Sequence, residues 1–155
     1  MAATPGPRRP QAVLFACGWN EVRSPMAAAL FRHLVGRSVY VESVGVRRGE
    51  ADPFAAAVLD ELGLDISRHR PRTFEDLEEA EGLNFDLIVT LAPEAHHRAL
   101  DLTRTLAAEV EYWPTPDATA TSGNREQMLD AYREVRDLLA ARIAERFGRR
   151  MQGNE

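Results

Sequence analysis

"VLFACGWNEVRSPMAAALF", residues 13–31, decides how this chain folds. An apolar run ends at Cys17 and a short polar loop follows. Beyond Ser24-Pro25 the spacing turns helical, with Met26, Leu30, Phe31 and Leu34 recurring on one face. Proline suits a first helical turn. The stretch therefore reads as a strand at 12–17, a loop, and a helix at 24–35. The strand lacks polar alternation, as expected where both of its faces are buried.

The same alternation continues outward. Residues 39–46, rich in valine, read as a second strand. Asp52-Pro53 supplies an N-cap and first turn for a helix through 62 that Gly63 ends. Thr73 opens a short helix in a capping-type sequence, and "FDLIVTL" at 85–91 is a third strand. Pro93 starts a helix to about 104, residues 110–113 form a fourth strand, and 114–124 are a loop. A long amphipathic helix at 125–147 carries Met128, Tyr132, Val135, Leu138, Leu139, Ile143 and Phe147. Strands separated by helices predict an α/β fold, with a parallel sheet covered on both faces and right-handed crossovers. Such sheets bind ligands beyond the carboxyl ends of their strands, where Cys17 and, after the fourth strand, Asp117 fall.

At 155 residues the chain suits one domain, read as 12–148, between a flexible N-terminal tail at 1–11 and a C-terminal tail at 149–155. Its 45% hydrophobic and 28% charged residues are those of a soluble globule, with no apolar run of membrane-spanning length and no secretory leader, so a cytoplasmic protein is expected. A single cysteine excludes an intramolecular disulfide. The formal charge of −5 argues against a nucleic-acid surface, and any basic site must be local.

A loop leaving a strand for a helix can curl its successive N–H groups into a nest, to which the helix adds its positive end. Phosphate fits such a nest, and the same field favours a thiolate, making Cys17 a nucleophile aimed at phosphorus. Arg23 supplies a planar fork for two oxyanion oxygens, and Ser24 can hydrogen-bond the sulfur. Taken alone, a free cysteine is more often a small buried hydrophobe. Against that reading, a cation at a helix start is unfavourable by roughly 0.3–1 kcal/mol unless an anion compensates it, and Arg23 sits there. Asp117 by itself is most simply a turn residue.

Residues 13–31 resemble the opening of the low-molecular-weight protein tyrosine phosphatase family, whose signature is cysteine, five residues, arginine and serine or threonine, followed by Pro-Met. The resemblance extends from Val13 to about Phe147, through Ser43 after the second strand and "DLIVTLAPE". It implies a phosphotyrosine phosphatase I-like, three-layer α/β/α fold with four parallel strands, a cysteinyl-phosphate intermediate, no cofactor and no metal. It also implies a phosphate-binding loop of Gly18, Trp19, Asn20, Glu21, Val22, Arg23 and Ser24. Asp117 matches the loop aspartate that protonates the leaving oxygen, then serves as base for water. Asn20, Ser24 and Ser43 match residues supporting the loop, with His69 a weaker candidate.

The departures bear on substrate. Trp19 replaces a glycine, either walling the cleft or packing against the protein. Glu21 opposes a dianion unless it points outward or meets a cationic substrate such as phosphoarginine. Val22 stands where many relatives carry a second cysteine. Ala118-Thr119-Ala120 lacks both the family's proline after the acid and its aromatic pair, so phosphotyrosine selectivity is not implied. Expected partners are a phosphorylated protein or small phosphomonoester, phosphate or a related oxyanion, with no nucleic acid and no membrane. The leading function is a metal-independent phosphomonoesterase of the protein tyrosine phosphatase type. The alternatives are an arsenate reductase served by an external thiol, since an internal disulfide relay needs more cysteines, and a catalytically weak phosphate-binding module. His96-His97 cannot chelate one ion from one helix face and read as solvated, as does the charge run at 75–81.

Overall fold

The structure, a computed structural model, describes residues 9–148. The C-terminal tail expected at 149–155 lies outside the described residues, as do residues 1–8 of the N-terminal one. In chain order the elements are β1 (Ala12–Cys17), α1 (Arg23–Leu34), β2 (Tyr40–Gly45), α2 (Pro53–Asp60), α3 (Phe74–Ala80), β3 (Leu87–Thr90), α4 (Pro93–Leu102), β4 (Glu109–Tyr112) and α5 (Arg125–Phe147). The four strands form one sheet in the order β2-β1-β3-β4, with every pairing parallel.

Side chains of β1 alternate between two cores, as the period of a strand requires. Val13, Phe15 and Cys17 face a core closed by α1, α2 and α5, whereas Leu14 and Ala16 face one closed by α3 and α4. This is the expected three-layer arrangement, and it explains why β1 carries no polar residue. The chain leaves β1 through α1 to reach β2 on one side, then crosses to β3 on the other. That reversal opens a crevice at the carboxyl end of β1, where Cys17 is the last strand residue.

Local chemistry accounts for the element ends. Asp52 caps α2 by accepting from the amides of Phe54 and Ala55, while Thr73 with Asp76 and Asn124 with Gln127 form reciprocal capping boxes on α3 and α5. The boundaries expected for α1, β2, α2, β3, α4 and β4 shift by one or two residues, and a 3-10 turn at Ala118–Ala120 interrupts the loop after β4. Residues 9–11, placed in the tail, are held instead: Arg9 donates to the Phe147 carbonyl at 3.1 Å and the Gln11 amide to Asp86 at 3.0 Å. On α5 the buried seam runs through Leu129, Tyr132, Val135, Arg136, Leu139, Ile143 and Phe147, leaving Met128 and Leu138 half-buried beside it. Arg136 sits in that seam because its guanidinium donates to the Val58 carbonyl at 2.7 Å and to Glu61 at 2.8 Å. Among the described residues no helix is long and apolar enough to cross a membrane.

Candidate active site

The loop between β1 and α1 is shaped by what its carbonyls find. Cys17 O accepts from the amide of Val46 at 3.1 Å, Gly18 O from Arg47 at 2.8 Å and Trp19 O from Gly49 at 3.0 Å. Asn20 O meets His69 Nε2 at 2.8 Å. With four successive carbonyls drawn outward, the amides turn the other way, and no N–H from Gly18 to Arg23 has an acceptor among the described residues. The first turn of α1 likewise has no side-chain cap and no acidic residue. Unpaired amides and a bare helix N-terminus together form a nest for an anion.

Asn20 holds the turn. Its φ of 58° is left-handed, a conformation asparagine tolerates better than most residues. Its side chain, fully buried, donates to Ser24 Oγ at 2.8 Å and Ser43 Oγ at 3.0 Å, and accepts from the Arg72 amide at 2.9 Å. Gly45, which the sequence reading passed over, is required by the same packing. A Cβ there would lie 2.7 Å from the Asn20 amide nitrogen and 2.8 Å from the Trp19 carbonyl carbon, both backbone atoms that cannot yield separately.

Cys17 Sγ lies 2.9 Å from Ser24 Oγ, which is also 3.2 Å from the Val44 carbonyl. A hydroxyl carries one proton. While the sulfur is a thiol, its S–H can donate to Oγ and the hydroxyl proton can go to Val44. Once the sulfur is a thiolate, rotation of that hydroxyl brings the proton to it. Arg23 is half-buried, with Nη1 donating to the Thr115 carbonyl at 3.0 Å, so one arm of its fork is anchored to the loop that carries Asp117.

Asp117 lines a narrow cleft with Cys17, Trp19, Glu21, Val22, Arg23 and Thr119. Its Oδ1 accepts from the Thr119 amide at 2.9 Å and hydroxyl at 2.6 Å, fixing the carboxyl group, while Oδ2 has no partner among the described residues. Thr119 was missed from sequence because its role exists only through the 3-10 turn that points it back at Asp117. Trp19 is a wall of the cleft: the residue is 48% exposed, with the Arg47 guanidinium 5.4 Å from the ring centre and Arg47 in turn paired with Glu94 at 2.7 Å. Glu21 is not a free surface charge, because its Oε2 accepts from the Glu50 amide at 2.7 Å and so holds the turn after β2 against the loop.

Burial pushes His69 below the ordinary imidazole range, with Arg72, Arg32 and Arg70 acting in the same direction against the Asn20 hydrogen bond. Since a carbonyl only accepts, Nε2 carries the proton. Tyr132 donates to Asp52 at 2.7 Å, and burial, followed by Asp52, Asp117 and Glu21, pushes its titration far above the phenol range. His96, expected to be solvated, is half-buried, with Nδ1 2.9 Å from Thr90 Oγ1 and its ring stacked on Tyr112 at 4.6 Å. The charge run at 75–81 is partly paired rather than merely solvated, Glu75 with Arg98 and Asp76 with Arg48. No group of three or more His, Cys, Asp or Glu among the described residues is placed to hold a metal ion.

The family model "Low molecular weight phosphotyrosine protein phosphatase" matches residues 12–147. An arsenate reductase of Shouchella clausii is 30% identical over 132 residues, covering 84% of this chain and 91% of that protein. A low molecular weight protein tyrosine phosphatase from T. tengcongensis superposes with a TM-score of 0.67 at 26% identity, over 86% of this chain and 95% of that one. An arsenate reductase from Archaeoglobus fulgidus gives 0.66 at 28% identity, over 88% and 98%.

Proposed function

The chain belongs to the low molecular weight phosphotyrosine protein phosphatase family, and from that membership and the geometry of the Cys17 loop we propose that it is a metal-independent phosphomonoesterase. The observation that carries the proposal is the shared cleft. A thiol, a guanidinium fork and a carboxyl group with one unoccupied oxygen line the same narrow space, at the mouth of a nest of unpaired amides.

In the proposed reaction the Cys17 thiolate attacks phosphorus as the bond to the leaving oxygen breaks. The amides of Gly18–Arg23 and the Arg23 fork stabilise the three equatorial oxygens over which charge is spread in the transition state. Asp117 donates its proton to the departing oxygen, which an alkoxide needs more than a phenoxide. The result is a cysteinyl-phosphate and an alcohol or phenol. Asp117, now a carboxylate, then takes a proton from water as its oxygen attacks phosphorus, and the sulfur leaves as a thiolate stabilised by Ser24. Phosphate is released and both residues return to their starting states. The substrates proposed are phosphorylated proteins or small phosphomonoesters, and the proposed place of action is the cytoplasm, whose reducing poise keeps the thiol free.

The names of the relatives favour one second reading, arsenate reduction. With a single cysteine and Val22 buried where a second would stand, no internal disulfide can form, so an external thiol would have to complete that cycle. Hydrolysis of para-nitrophenyl phosphate in EDTA between about pH 5 and 7 separates the two. Turnover by the wild type that Cys17→Ser abolishes supports the phosphatase. A folded wild type that fails to hydrolyse the ester but reduces arsenate with glutathione or glutaredoxin overturns it.

A further inference from the structure

A second concavity, of about 460 Å3, reaches the supports of the phosphate loop without sharing a lining residue with the Cys17 cleft. Arg32, Ser43, Arg68, His69, Arg70 and Arg72 line it, with Glu42 and Asp65. The local basic site that an acidic chain permits is here, in "RHRPR" at 68–72. Its acids offset only part of that charge. Glu42 pairs with Arg72 at 2.5 Å and with Arg32 at 3.8 Å, and Glu81, beyond the lining, reaches Arg72 at 3.6 Å. Asp65 is capped by the Ser67 amide at 2.8 Å, and Arg68 acts on it only from beyond ion-pair distance. Among the described residues, no carboxylate pairs with Arg68 or Arg70, although Arg70 donates to the His69 carbonyl at 3.2 Å.

Arg68 and Arg70, which have no ion-pair partner among the described residues, offer forked donors that match phosphate oxygens. The volume lies in the usual range of roughly 300–1,000 Å3 for small-molecule sites, which favours a compact ligand over a macromolecular surface. Three residues of the lining also hold Asn20: His69 through its carbonyl, Arg72 through its carboxamide oxygen, and Ser43 through its carboxamide nitrogen.

We propose that this concavity binds a small phosphate-bearing anion, and that its occupancy fixes residues 68–72 and thereby stiffens the phosphate loop. Binding is independent of the catalytic reading; only the effect on turnover rests on it.

Inorganic pyrophosphate is the probe, titrated into the 15N-labelled full chain at constant ionic strength with orthovanadate filling the catalytic loop. The expected result is saturable shifts of the Ser43 and 68–72 amides, with affinity falling at least tenfold in Arg68→Gln/Arg70→Gln, whose exposed side chains leave folding intact. Loss of binding when vanadate is present, or binding indifferent to the two arginines, would overturn the site. For the coupling, pyrophosphate is expected to raise kcat for para-nitrophenyl phosphate at least twofold in the wild type and not in the double variant. Competition at the catalytic loop leaves kcat unchanged, so an unaltered kcat with the site occupied would refute the coupling while leaving the phosphatase reading intact.

Discussion

Replacing Asn20 by alanine is expected to cost about 4 kcal/mol and to remove phosphatase activity together with stability. The side chain, fully buried, makes three hydrogen bonds, to Ser24, Ser43 and the Arg72 amide, all within 3.0 Å. At a net value of about 1 kcal/mol each these give about 3 kcal/mol. Alanine must also adopt φ of 58°, adding about 1 kcal/mol that asparagine largely escapes. For a chain of this size a loss of 4 kcal/mol lowers Tm by about 8–16 °C. Urea denaturation of wild type, Asn20→Ala and Asn20→Gly measures it. Glycine relieves the backbone cost but restores no hydrogen bond, so it should recover about 1 kcal/mol of the loss. An Asn20→Ala protein within about 1 kcal/mol of wild type would refute the assignment of Asn20 as the support of the loop.

Three further outcomes follow from neighbouring contacts. Arg23→Lys keeps the charge but loses the planar fork, and kcat should fall by about 10²–10³ with KM changing less, as steady-state kinetics will show. Asp117→Ala should lower kcat/KM, which reports the step that expels the leaving group, by about 10²–10⁴ on phenyl phosphate and by distinctly less on para-nitrophenyl phosphate, whose leaving group departs without a proton; equal losses of kcat/KM on both would remove Asp117 as the acid. His69 is held below its unfolded value of about 6.5, so the unfolded chain binds the extra proton first. Its contribution is therefore present above that value and lost as pH falls through the folded one. Stability measured by urea at pH 7 and pH 5 should decline less in His69→Gln than in wild type.

Much of this was legible because it rests on local patterns. The unbroken apolar run at 13–17 announced a strand buried on both faces, and Cys17 and Arg23 stand at its end and at the first residue of α1. Asn20 and Ser43 were legible by resemblance, and the structure brings them within hydrogen-bonding distance. What sequence could not supply were contacts made by the meeting of distant segments. Gly45 looks like any strand-end glycine until the Trp19–Asn20 backbone is laid against it. Glu21 read as a surface charge or a selector because its partner, the Glu50 amide, lies across the crevice. Arg136 broke the apolar spacing of α5, and only the Val58 carbonyl and Glu61 on the facing segment explain its burial.

The most direct test is to look for phosphate on the sulfur. Rapid acid quench of the full chain during turnover of para-nitrophenyl phosphate in EDTA, followed by peptide mass spectrometry, should find a phosphoryl group on Cys17. It should accumulate in Asp117→Ala, where water lacks its base, and be absent in Cys17→Ser. Steady hydrolysis by the wild type with no phosphoryl group on Cys17 at any quench time, or hydrolysis that survives Cys17→Ser, would contradict the proposed mechanism at its centre.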